Sequence, residues 1–155
     1  MESENLYNDQ LFKNLIQSYL AQLDSAVKIS AILNDHSDEK ELTGDDIICG
    51  LVYRLMVPMT QEEITESINT AKGVLNDFEN HEDEEEDEED YDSIEETYEK
   101  PQLSRKIKTN NCNCDICSKV RVCLLNYKDF EPSDNLSLKF KNSITETCEK
   151  HNIYI

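Results

Sequence analysis

Between positions 9 and 34 the apolar residues Phe12, Leu15, Ile16, Tyr19, Leu20, Leu23, Val27 and Ile32 fall largely on one side of a helical wheel. This pattern predicts one long amphipathic helix, capped by Asn8 or Asp9. The polar run 34–41 ends it. Thr43 then offers an N-cap with Asp46 three residues on, and 47–57 reads as a strongly apolar second helix. Pro58 stops that helix, because the residue before a proline is pushed away from helical angles. Thr60 and Glu63 form a capping box for a third helix, whose Ile64, Ile68, Ala71, Leu75 and Phe78 make a heptad-like seam of the coiled-coil kind.

Beyond Pro101 the pattern changes. Val120, Val122 and Leu124 alternate with Arg121, Cys123 and Leu125, which predicts a strand over 119–127. A turn containing Pro132 follows. Ser133 or Asp134 can cap a last helix, with Leu136, Phe140, Ile144 and Thr147/Cys148 on its inner face. The predicted fold is mainly α: an N-terminal three-helix bundle over 5–79, a disordered acidic linker over 80–103, and a small C-terminal α+β zinc-finger-like module over 104–155. The seam of the third helix can close the bundle or pair with another molecule.

Charge sharpens these boundaries. The 155 residues carry a formal net charge of −19, distributed unevenly. Residues 1–78 hold 5 basic and 14 acidic side chains; 79–99 hold 14 acidic and none basic; 100–155 hold 10 basic and 6 acidic. Nine consecutive acids at 82–90 repel one another and cannot collapse into a core. They suit a spacer, a clamp for a basic partner, or a cover for the chain's own basic tail. Ser93, among acids, fits an acid-directed kinase.

Five of the six cysteines lie in that basic tail, as Cys112-x-Cys114-x2-Cys117-x5-Cys123 and then Cys148-x2-His151. Thiolates and an imidazole at such spacings are what tetrahedral Zn2+ requires. Cys114 and Cys117 make one pair. Cys148 and His151, three apart on a helix, make a second, so Cys114, Cys117, Cys148 and His151 are the first ligand set. Cys112 and Cys123 are alternates, which allow an all-cysteine site of 112, 114, 117 and 123. Disulfides are a further alternative. Cys49, in an apolar run, reads as a small core residue, and His36 and His81 sit in polar stretches with no assigned role.

Catalytic signatures are missing from the sequence. Gly44, Gly50 and Gly73 stand singly and build no phosphate loop. The His-x-Glu and Pro-Cys-x2-Cys pattern of zinc deaminases is absent, as is any recognisable nucleophile motif. The expectation is a closed structural zinc site and no enzyme activity. Arg105, Lys106, Lys108, Lys119 and Arg121 flank the cysteines and are candidate phosphate contacts, with Tyr127, Phe130 or Tyr154 available to stack on bases. Against overall charge −19 this is a modest footprint, so nucleic-acid binding is not favoured over a protein partner. No apolar run spans a bilayer, and no signal peptide opens the chain, so an intracellular, reducing compartment without membrane insertion is expected.

The runs 111–117, 121–127, 140–144 and 148–151, with 42–47 and 51–58 before them, resemble small uncharacterised proteins encoded by large DNA viruses of protists. The resemblance implies no activity. It implies a viral product of the host cytoplasm, nucleus or virion, and, since such viruses often encode thiol oxidases, it raises the disulfide alternative. The expected function is that of a non-enzymatic zinc-binding adaptor or regulatory protein. The competing classes are an acidic chaperone or nucleic-acid mimic for basic proteins, and a structural virion component with disulfides. The oligomeric state is left open.

Overall fold

The computed structural model describes residues 2–80 and 103–155. The expected acidic linker and Ser93 lie outside the described residues, apart from the linker's two ends. The described chain is mainly helical: α1 (Glu2–Asp35), α2 (Gly44–Met56), α3 (Gln61–Asn80), β1 (Arg105–Lys106), α4 (Asp115–Asn126), α5 (Asn135–Lys150) and β2 (Ile153–Tyr154). None of these helices is long and apolar enough to cross a membrane.

Local sequence chemistry sets the helix starts. Thr43 Oγ1 accepts the Asp46 N–H at 3.1 Å while Asp46 Oδ2 accepts the Thr43 N–H at 3.1 Å, closing the capping box of α2. Thr60 and Glu63 repeat that exchange at α3. Asp134 caps α5 by accepting the Ser137 N–H at 2.8 Å.

The packing then departs from the periodicity in two places. On α1 the buried line is Ala21, Ser25, Ala26, Ile29, Ser30 and Leu33, while Val27 is exposed. The reason is the close crossing with α2. A methyl group on Gly50 would press into Ser30 Oγ and the Ala26 carbonyl, so small residues had to face one another there. The second departure is the expected strand over 119–127, which is helix α4. Val120, Cys123, Leu124 and Tyr127 bury one side at helical spacing, whereas Val122 and Leu125, one from each face of the apparent alternation, are exposed. Both periods are present in that run, and burial selects 3.6.

α1 packs against both α2 and α3. Arg54, almost wholly buried, joins the three: its guanidinium donates to Ser25 Oγ at 2.7 Å, to Glu63 Oε2 at 2.8 Å and to the Val57 carbonyl at 3.2 Å. A buried charge is tolerated only with such partners. α2 also packs against α4 and α5. Ile29, Ile48 and Val52 therefore share one apolar core with Val120, Phe140 and Ile144. The segments 5–79 and 104–155, expected to be separate units, have this core in common.

The chain end is tied back as well. Asn152, at φ 54°, takes the left-handed conformation that Asn tolerates at a helix C-terminus and reverses the chain after α5. β2 then pairs in parallel with β1, Arg105 opposite Ile153 and Lys106 opposite Tyr154. Arg105 grips Asp45 with two bonds of 2.8 and 2.9 Å, and Asp45 also accepts the Lys108 N–H at 2.8 Å. This clamp fixes the strand, and hence the loop after it, against the start of α2.

Candidate metal centre

The loop 108–114 runs from that clamp to α4 and carries Cys112 and Cys114. Cys114 is the N-cap of α4, and its sulfur accepts the Cys117 N–H at 3.5 Å; Cys112 Sγ accepts the Cys114 N–H at the same distance. Backbone donors and the positive end of a helix dipole favour sulfur in its thiolate form. The Cys117 N–H accordingly draws the Cys114 thiol down to about 6, while burial pushes Cys117 up to about 11.

Against these three sulfurs stands His36, just beyond the C-terminus of α1. Its Nδ1 lies 3.4 Å from Cys112 Sγ, 3.3 Å from Cys114 Sγ and 3.4 Å from Cys117 Sγ. All four ligand atoms fall within 4.8 Å of one another. In a tetrahedron with metal–nitrogen and metal–sulfur bonds of about 2.0 and 2.3 Å, the nitrogen–sulfur edge is about 3.5 Å. The cluster can therefore hold a metal ion, with donors of the right chemistry at the right separations.

A second layer holds the donors in place. Asn110 Nδ2 donates to Cys117 Sγ at 3.3 Å and to the Leu33 carbonyl at 3.0 Å, bridging the cluster to α1. Arg121 donates to the carbonyls of Asn110 at 3.0 Å and Cys112 at 2.6 Å, bracing the loop from α4. Partners of this kind orient ligands and tune their basicity.

Of the ligands expected from sequence, the structure unites Cys114 and Cys117, with the alternate Cys112. Cys148 and the other alternate, Cys123, are buried on the inner faces of α5 and α4. Burial raises both thiols, which keeps them neutral there. His151 caps α5, its N–H donating to the Thr147 carbonyl at 3.2 Å. His151 is not among the four clustered donors, but it lines an open cleft of about 1040 Å³ together with His36 and Cys112. All six cysteines are free thiols.

His36 carries no local sequence signal as a ligand, because it lies 76 positions from Cys112. One signal could have found it: three closely spaced cysteines need a fourth donor, and a histidine at a helix end is a suitable one.

The basic candidates divide as well. Arg105 and Arg121 are engaged by Asp45 and by the cysteine loop, while Lys106, Lys108 and Lys119 are exposed. Tyr127, expected as a stacking surface, is buried, with its hydroxyl at 2.9 Å from the Lys141 carbonyl and 2.8 Å from Thr145 Oγ1. No family model, curated protein or solved structure matches the chain.

Proposed function

We propose that this protein binds one structural zinc ion through His36, Cys112, Cys114 and Cys117, and acts without catalysis as an adaptor or regulatory protein. The observation that carries this reading is the convergence of one imidazole nitrogen on three sulfurs at 3.3–3.4 Å. Zinc is favoured by a soft three-thiolate, one-imidazole set. Four protein donors close a tetrahedron and leave no position for a substrate or water, which argues for a structural role. When bound, the ion supplies positive charge that the thiolates need and four fixed bonds.

In this reading α1–α3 form a helical bundle, and the cysteine loop, α4, α5 and the β1–β2 pair form a zinc-finger-like module whose fourth ligand comes from the bundle. The ion thus fastens the two together. Internal use of Arg105 and Arg121 weakens the case for nucleic acid and favours a protein partner. The setting we propose, from the viral resemblance, is the reducing interior of an infected cell.

Native mass spectrometry against the denatured mass tests the metal directly. One zinc per chain is expected, lost in His36→Ala and Cys114→Ser and retained in Cys148→Ala and His151→Ala. Retention in His36→Ala with loss in Cys148→Ala would instead establish the ligand set read from sequence. Because the folded chain alone presents the four donors together, chelation should lower the Tm; at free zinc a thousandfold above Kd the ion contributes about 4 kcal/mol.

A further inference from the structure

Among the described residues, the first half of α1 leaves a large apolar surface uncovered. α1 has 34 residues and α2 only 13, about 51 against 20 Å, so α2 cannot follow α1 to its N-terminus. α3 does run alongside, antiparallel: Lys28 pairs with Glu66 at 3.1 Å and Lys13 with Glu79 at 2.9 Å. Yet Leu6, Tyr7, Leu11, Phe12 and Leu15 are each 51–70% exposed, and Phe78, at the level of Lys13 on α3, is 74% exposed. Leu11, Leu15 and Tyr19 are four residues apart, one line along the helix. Phe78 is the last member of the third helix's apolar seam, and no other described residue covers it. Scattered apolar side chains are ordinary; a continuous line of large ones on a helix pair marks a docking surface.

Charge selects the occupant. In line with Leu11 and Leu15 at helical spacing, α1 carries Glu4, and on α3 the acids Asp77 and Glu79 flank Phe78 on either side. Lys13 is the one basic residue of α1 before Lys28, and it faces Glu79. Two residues past the end of α3 the sequence enters nine consecutive acids. A second copy of this chain would bring two such runs together at overall charge −19 each, and mutual repulsion opposes that. We propose that the open face of α1 and α3 receives a basic amphipathic helix of a protein partner, its apolar side on Leu11, Leu15 and Phe78 and its lysines or arginines toward the acidic rim. The stretch from Tyr7 to Tyr19 is about 18 Å long, which suits a helix contributing anchors at i, i+4 and i+7. This deepens the adaptor reading by naming the surface and the chemistry of the partner, and rests on that reading only for the existence of a partner.

The test uses the full chain and a fluorescent peptide of about 18 residues in which leucine and lysine alternate with helical period. Controls are a scrambled peptide of the same composition and a version with glutamate in place of lysine. Binding is expected for the periodic basic peptide alone, weakened by salt, and weakened at least tenfold in the exposed-site variant L11Q/L15Q/F78Q at unchanged Tm. Equal binding of the scrambled peptide, or unchanged affinity in the variant, would overturn the proposal in favour of acid-tract electrostatics. A wild-type dimer dissociated by the same variant in analytical ultracentrifugation would overturn it in favour of a second copy. Metal content, read by native mass spectrometry on both proteins, separates failure of this surface from failure of the zinc reading.

Discussion

Two kinds of thiol coexist within one small protein, buried core thiols and those of the cysteine loop, and their surroundings decide what each does. Cys49, Cys123 and Cys148 are buried, and burial pushes Cys49 up to about 12 and raises the other two. In the native protein at neutral pH, iodoacetamide should leave these three unmodified, and peptide mapping should find them labelled only after denaturation. Cys112 and Cys114 are more accessible and should be alkylated once a chelator has been added. Asp45 gives a second prediction at this scale. Its bonds from Arg105 and from the Lys108 N–H hold its carboxyl below the usual carboxylate range. Stability from this group is therefore fully present above about pH 4 and is lost as pH falls through the lower folded value. Asp45→Asn should cost about 1–2 kcal/mol at pH 7, allowing for the half-exposed Arg105, and should flatten the acid limb of a denaturation series. Cys114 and Cys117 were legible as ligands because a Cys-x2-Cys turn is local. His36 was not, since its role depends on how α1 packs against a loop far along the chain.

Elements were most legible where short-range chemistry defines them. Thr43, Thr60 and Asp134 act as the caps their neighbours imply, and Pro58 follows the end of α2. The run 119–127 misled because β-branched residues at alternate positions hide a second pattern, Val120-x2-Cys123-Leu124-x2-Tyr127, that matches a helix. The capping sulfur of Cys114 sits at the start of that helix, so the ligand loop and α4 specify one another. The α1–α2 crossing could not be read from apolar periodicity, because it is built from Ala26, Ser30 and Gly50. Gly50→Ala should force those helices apart and cost about 1–3 kcal/mol, measurable as a lowered denaturant midpoint; Gly73→Ala, with open space around it, should be neutral or stabilising.

At the scale of the molecule, composition suggested two units with an acidic spacer between them, and the core joins what composition divides. Ile29 and Val52 belong with Val120 and Ile144. Asp45 holds Arg105, and the one imidazole of the candidate metal cluster comes from the other side of the spacer. Tertiary burial of this kind leaves no mark in the charge or periodicity of either segment. It has a physical consequence: the shared core should hold the halves together even when the peptide bonds between 80 and 103 are cut. Expressed as two polypeptides, 1–80 and 103–155, the protein should reconstitute by fragment complementation. The pair should co-elute on size exclusion, with weakened association in His36→Ala and Asp45→Asn. A protease that nicks the intervening sequence would then change the number of chains and leave the assembled particle in one piece.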